Sequence, residues 1–122
     1  MDKVNGKPVA RRQVAQGDVL FRRVPGLPKG CTPQKPEADG YVVAHSETGH
    51  HHTVDATGVK VYQSEDPLVA YLVMESVESV DVEHQRSWDT HATFALLGDI
   101  GACWEVRRQA ERTPQGWARV QD

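Results

Sequence analysis

The sequence lacks both a membrane-spanning segment and the cysteines needed for a disulfide framework. Its apolar runs stay well below the ~20 residues that a spanning helix needs, and the 122 residues include only two cysteines. The first residues, Met-Asp-Lys-Val-Asn-Gly-Lys-Pro, contain no apolar stretch of the kind found in a secretory signal. We therefore expect a cytoplasmic protein with no membrane partner, in which Cys31 and Cys103 are free thiols.

Helical periodicity is also missing. Short runs of β-branched and aromatic residues are instead separated by turn residues. The runs cover residues 17–24, 41–45, 51–54, 59–63, 68–75, 77–84, 93–97 and 102–109. We predict an all-β fold, a single small barrel or sandwich of about seven to nine short, mostly antiparallel strands.

The chain is long enough for one domain. We predict a polar, basic N-terminal arm over residues 1–15 and a single β domain over residues 16–122. Four prolines within residues 25–40 predict a long loop there. At the C-terminus, Pro114 would suit the first turn of a short helix, although Gly116 disfavours it. Exposed sheet edges in so small a β protein favour a homodimer.

Opposite charges are unevenly distributed along a chain whose net charge is −3. Residues 1–36 carry eight Lys/Arg against two Asp/Glu, and residues 37–111 carry four against fourteen. Such segments usually neutralise each other within a fold, which argues against a nucleic-acid partner. If the first and last predicted strands pair, the doublets Arg22-Arg23 and Arg107-Arg108 would form either ion pairs with Glu105, Glu75 or Glu78, or a basic stripe. The net negative charge favours ion pairs.

Histidines are concentrated near the middle of the chain. Four of the six fall within residues 45–52, His-Ser-Glu-Thr-Gly-His-His-His. Alternate residues of a strand point to the same side, so His50 and His52 could bind one metal ion together. Further ligands must come from elsewhere, and the candidates are His91 on a later strand and His45 across a predicted hairpin. His84 is equally compatible with a ligand and with a surface residue.

The ligand types restrict the chemistry. Two cysteines, far apart, disfavour a closed Cys-rich zinc site, whereas imidazole and carboxylate ligands suit Zn, Fe, Mn or Ni. An open divalent-metal site could activate water or polarise an oxygen of a small-molecule substrate, with Glu47 as the candidate general base. The alternative is a non-enzymatic binding or regulatory module. There the basic arm and the arginine doublets would contact an anionic partner, and the histidines would be structural or a pH-sensitive surface.

Several short motifs resemble a family of small, largely uncharacterised bacterial proteins. They are Gln-Gly-Asp-Val-Leu, Gly-His-His-His, His-Ala-Thr and Trp-Glu-Val-Arg-Arg-Gln, spread over about residues 16–112. Carried over, His50 and His52 match the Gly-His-x-His group of that family, and His91 matches its later histidine. The resemblance implies a shared fold. Residues 98–101, Gly-Asp-Ile-Gly, stand where the family has Pro-Gly.

Two further resemblances concern the histidines alone. His50 and His52, with His91 as a third histidine, are similar to the cupin His-x-His pattern, which implies metal-dependent chemistry; the carboxylate that follows the histidine pair would be Asp55. The repeated His-x-Thr pattern of residues 51–54 and 91–94 resembles the 2H phosphoesterases. That family needs a larger, two-lobed fold with helices, for which this chain has neither the length nor the periodicity.

Overall fold

The computed structural model describes residues 3–4, 6–16, 18–37, 40–44, 51–85, 90–108, 110–113 and 116–119; for residues 84–85, 90–93, 110–113 and 116–119 the description is of the backbone. All regular elements in the described part of the chain are strands. They are β1 (Lys3–Val4), β2 (Lys7–Ala10), β3 (Gln13–Gln16), β4 (Val19–Val24), β5 (Thr32–Pro33), β6 (Tyr41–Ala44), β7 (His51–Val54), β8 (Val59–Gln63), β9 (Val69–Met74), β10 (Ser79–Gln85), β11 (Thr90–Leu97), β12 (Cys103–Arg108), β13 (Ala110–Thr113) and β14 (Gly116–Arg119).

Twelve of these strands form two six-stranded sheets. The first sheet has the order β1-β2-β11-β10-β7-β6 and the second has the order β3-β4-β12-β9-β8-β5. Pairing is antiparallel throughout except between β2 and β11, which run parallel. β13 and β14 form a separate hairpin. No helix in the described part of the chain is long and apolar enough to cross a membrane.

The core lies between the two sheets. Alternation along each strand sends every second side chain into the space between them, so that Val19 and Phe21 of β4 are buried while Arg22 is exposed. Phe21 meets Phe94 of the opposite sheet in a T-shaped, edge-to-face contact, with 5.2 Å between ring centroids. Trp104 of β12 is completely buried in the same cluster. Each such side chain contributes roughly 1.5–3 kcal/mol to folding.

A second, smaller apolar cluster covers the outer face of the second sheet. Val69, Tyr71 and Cys103 are buried there, and Cys31 from the loop after β4 packs against them. The proline-rich loop therefore helps to cover that face of the sheet, and it contributes the two-residue edge strand β5. Both cysteines are free thiols, as the sequence predicts.

The predicted fold class is confirmed, with more strands than expected. The predicted hairpin of residues 41–45 and 51–54 is the antiparallel pair β6–β7. The first and last of the predicted strands do pair, as β4 and β12. The count of fourteen exceeds the prediction because the N-terminal, loop and C-terminal strands have only two to four residues each. Runs that short show no recognisable period.

The termini contain strands where the sequence showed no strand pattern. Within the predicted basic arm of residues 1–15, β2 pairs with β11 and β3 pairs with β4. Val9 and Val14 are buried, and Lys7 forms a 2.8 Å ion pair with Asp81 of β10. The C-terminal helix is replaced by the hairpin of β13 and β14. Glycine in a helix interior is unfavourable, and a two-residue connection is typical of a hairpin.

Candidate functional site

Three neighbouring strands of the first sheet align three histidines. His84 on β10 lies directly opposite His52 on β7. On its other side, His84 lies directly opposite His91 on β11. The backbones of His52, His84 and His91 therefore occupy one row across the sheet, which we call the histidine row.

A β-bulge sets this alignment. Val82 opposes Phe94, but the next residue of β10, Glu83, opposes Ala92, so that Thr93 is an extra residue in β11. An uninterrupted ladder would have placed Ala92 opposite His84. The bulge shifts the register by one residue and brings His91 into the row instead.

His52 lies inside the sandwich. The residue is 1% exposed, and its ring meets Phe21 of the opposite sheet in a T-shaped contact with 6.2 Å between centroids. The preceding residue, His51, is half-buried and lies opposite Gln85. Strand alternation thus separates the two adjacent histidines, and a solvent-exposed histidine surface does not describe His52.

The other predicted site residues are placed less fully. His45, Glu47 and His50 lie outside the described residues, and their roles stay predictions. His91 and His84 are described by their backbone positions in the row. Among the side chains that the structure describes, no group of three His, Cys, Asp or Glu converges on a common point, and that set includes neither of these two histidines.

The repeated His-x-Thr pattern does not bring its two histidines together. His91 is aligned with His84 and, across it, with His52. His51, the first histidine of the other copy, is opposite Gln85 in the adjacent row. The two copies are therefore out of register by one residue, and His51 and His91 do not share a row of the sheet.

A cavity of about 280 Å³ lies close to the ladder partner of His52, a residue of the histidine row. Ala44 of β6, which is directly opposite His52 in the ladder, is part of its wall. Arg108, at the end of β12 in the other sheet, is part of the same wall. The cavity therefore extends from the ladder partner of His52 in one sheet to the last residue of β12 in the other.

Arg108 belongs to a second row, on the inner side of the second sheet. Val19 of β4 is opposite Gln16 of β3 on one side and opposite Arg108 on the other. Val19 is buried in the core. The buried Oε1 of Gln16 and the buried Nε of Arg108 have no hydrogen-bond partner among the described residues. The sequence signals only the Arg107-Arg108 doublet, and nothing in it distinguishes these two arginines.

On the outer face of the second sheet, two arginines share one carboxylate. Arg22 Nη2 and Arg107 Nε donate to Glu105 Oε1 at 3.3 and 3.2 Å, and the Tyr71 hydroxyl donates to Glu105 Oε2 at 3.2 Å. Burial, followed by the adjacent Glu105 carboxylate, raises the pKa of Tyr71. The hydrogen bond to Glu105 is the main cause of the raised pKa of Arg107. The predicted ion pairing of the doublets with Glu105 is confirmed for these two arginines.

The fourth arginine of the doublets, Arg23, is also directed inward. Its guanidinium lies 5.8 Å from the ring centroid of the buried Trp104. A cavity of about 480 Å³ beside it is lined on the other side by Gly98 and Asp99. Alternation along β4 and β12 therefore divides each doublet between the two faces of the second sheet.

No curated protein and no solved structure matches the chain significantly. One family model does match, over residues 15–109, which include both the histidine row and Arg108. The chain therefore belongs to the family described as domain of unknown function DUF8820.

Proposed function

We propose that this protein binds a divalent metal ion through the imidazoles of the histidine row. The observation that carries the proposal is the register of β7, β10 and β11, which aligns His52, His84 and His91. Residues directly opposite each other in an antiparallel pair have Cβ atoms on one face, 4.5–5.5 Å apart by general geometry. Since neighbouring strands are roughly 4.8 Å apart, the outer two backbones are separated by about 10 Å. Three imidazoles can meet on one ion over such a span.

The burial of His52 supports the same proposal. A metal ion with histidine ligands in the interior of a sandwich is shielded from bulk water, which strengthens its electrostatic effect on a bound oxygen atom. Three histidines also leave coordination positions open for water or substrate. We therefore propose a metal-dependent reaction on a small oxygen-containing substrate. His50, His45 and Glu47 remain candidates for a further ligand or for the general base.

The alternative of an anion-binding module depended on unpaired arginines along one exposed face. Arg22 and Arg107 instead share the buried carboxylate of Glu105. Arg23 and Arg108 line cavities rather than that face. No stripe of unpaired arginines is formed by the described residues, so we retain the metal site as the proposed function.

Elemental analysis tests the proposal. The protein would be purified without an affinity tag or chelator, beside His52→Ala, His84→Ala and His91→Ala, with His51→Ala as the matched control from the same strand. We expect close to one metal ion per wild-type chain, a loss of metal in the three row variants, and retention in His51→Ala.

Cobalt(II) absorption provides a second readout that does not depend on the native metal. Titration of the chelator-treated protein should give visible absorption bands from histidine-bound cobalt, which the row variants lose although circular dichroism shows them to be folded. The proposal fails if the wild type binds no metal after incubation with Zn, Fe, Mn and Ni. It also fails if His52→Ala and His51→Ala bind equally well.

A further inference from the structure

We propose that the cavity beside the histidine row binds a small monocarboxylic acid and that Arg108 holds its carboxylate. That this acid is the substrate rests on the proposed metal site, whereas its binding in the cavity can be tested without any metal. The cavity volume of about 280 Å³ lies just below the roughly 300–1,000 Å³ typical of ligand pockets, which restricts the ligand to a small molecule.

Arg108 is built into the wall in a way that calls for an anion. Its Nε is buried and has no acceptor among the described residues. A buried donor on a charged group is costly to leave without a partner. Its neighbour Arg107 provides the contrast, since it is directed to the outer face and donates to Glu105. A carboxylate accepts two parallel hydrogen bonds from a guanidinium, which would satisfy the buried Nε of Arg108.

The rest of the wall favours a carboxylate with an apolar body. Val43, Ala44, Leu68 and Ala70 contribute hydrophobic surface, and among the described residues that line the cavity only Arg108 is charged. A single cation suits a monoanion. A phosphate dianion is usually held by several donors or by a helix N-terminus, and the described chain has no helix.

Two glutamine side chains, Gln34 and Gln63, also line the cavity, and the amide of Gln63 is already engaged in hydrogen bonds. Its Nε2 donates to the carbonyl oxygens of Asp66 and Val69 at 3.0 and 2.9 Å. Its Oε1 accepts from Gln34 Nε2 at 3.5 Å. These bonds fix the Gln63 side chain as a rigid, neutral part of the wall. Among the described wall residues, the positive charge comes from Arg108.

The position of the cavity connects this ligand to the histidine row. Ala44 is both a wall residue and the ladder partner of His52. An acid whose carboxylate is held at Arg108 therefore extends along the inner side of β6 towards the row. An oxygen atom close to the carboxylate, as in a 2-oxo or 2-hydroxy acid, is the group that such a ligand would present to the metal.

Nitrogen-15 NMR with butanoate as the probe tests the inference, because an arginine Nε–H gives its own resolved signal. Butanamide, of the same shape but uncharged, is the control ligand; Arg108→Met is the test variant and Arg107→Met its matched control. In protein treated with a chelator, we expect butanoate to shift the Arg108 Nε–H signal and the amide signals of Ala44 and Leu68. We expect butanamide to bind about ten-fold more weakly, as the loss of a charge-assisted hydrogen bond implies.

Arg108→Met should lose the butanoate shifts at Ala44 and Leu68, and Arg107→Met should keep them. Equal binding of butanoate and butanamide, or unchanged butanoate binding by Arg108→Met, would overturn the inference. Butanoate binding by a protein in which elemental analysis finds no metal would support the carboxylate cavity and reject the metal site. Metal binding by a protein whose cavity signals do not respond to butanoate would support the metal site and reject the carboxylate cavity.

Discussion

Two half-exposed arginines and one buried carboxylate on the outer face of the second sheet form a redundant charge network. The side chains of Arg22 and Arg107 are 52% and 46% exposed, whereas that of Glu105 is 6% exposed. Both arginines donate to the same oxygen of Glu105. Either arginine alone can therefore keep the carboxylate paired. Removing both should lower the free energy of unfolding by more than the sum of the two single effects.

The size of each stability loss follows from how far the side chains are exposed to solvent. Removing one half-exposed arginine should cost about 1 kcal/mol, the upper end of the range for exposed ion pairs. Removing both leaves Glu105 buried, with the Tyr71 hydroxyl as its remaining side-chain hydrogen-bond donor among the described residues. Breaking a buried pair in this way costs about 3–5 kcal/mol. The expected coupling between Arg22→Met and Arg107→Met is therefore about 1–3 kcal/mol.

Urea unfolding monitored by tryptophan fluorescence at neutral pH would measure the stability of the wild type, the two single variants and the double variant. Trp104 is fully buried and so reports on loss of the core. Adding Glu105→Gln to the double variant should restore at least about 1 kcal/mol, because it removes the uncompensated charge. Additive effects of the two arginine substitutions, or a double variant as stable as either single one, would refute the reasoning.

Two further predictions concern single positions. Burial first, and then the nearby Cys31, raises the pKa of Cys103 from its ordinary value to about 11. At pH 8 a thiol reagent should therefore label Cys31 rapidly and Cys103 only on unfolding or as the pH approaches 11. Equal labelling rates of the two thiols at pH 8 would contradict this prediction. Gly40 has φ +104°, and a Cβ there would collide with the Val54 carbonyl oxygen. In thermal unfolding, Gly40→Ala should therefore lose more folding stability than Gly6→Ala. At Gly6, φ is +80° but no atom lies near the Cβ position, so the loss is the ~1 kcal/mol of left-handed strain alone. Equal losses of stability would be evidence against the collision.

The fold class could be predicted from the sequence because most of the sandwich consists of strands with clear local patterns. β4, β8 and β9 each combine β-branched or aromatic residues with flanking turn residues, and such runs are informative within a few residues. The terminal strands could not be predicted in the same way. β2 has only four residues, and it is stabilised by its pairing with β11, which is distant in the chain.

The candidate site was predicted in part. The concentration of histidines near the middle of the chain is visible in the amino-acid order, and it identifies His52 and His91 as candidates to act together. Tertiary structure decided that His84 lies between them, because register depends on a bulge at Thr93 that no local pattern announces. It also decided that Arg107 and Arg108, identical in sequence terms, have different environments, one paired with Glu105 and the other in the cavity wall. The physical reason is the same in both cases: a strand alternates its faces residue by residue, and only the packing of the two sheets determines which face is inside.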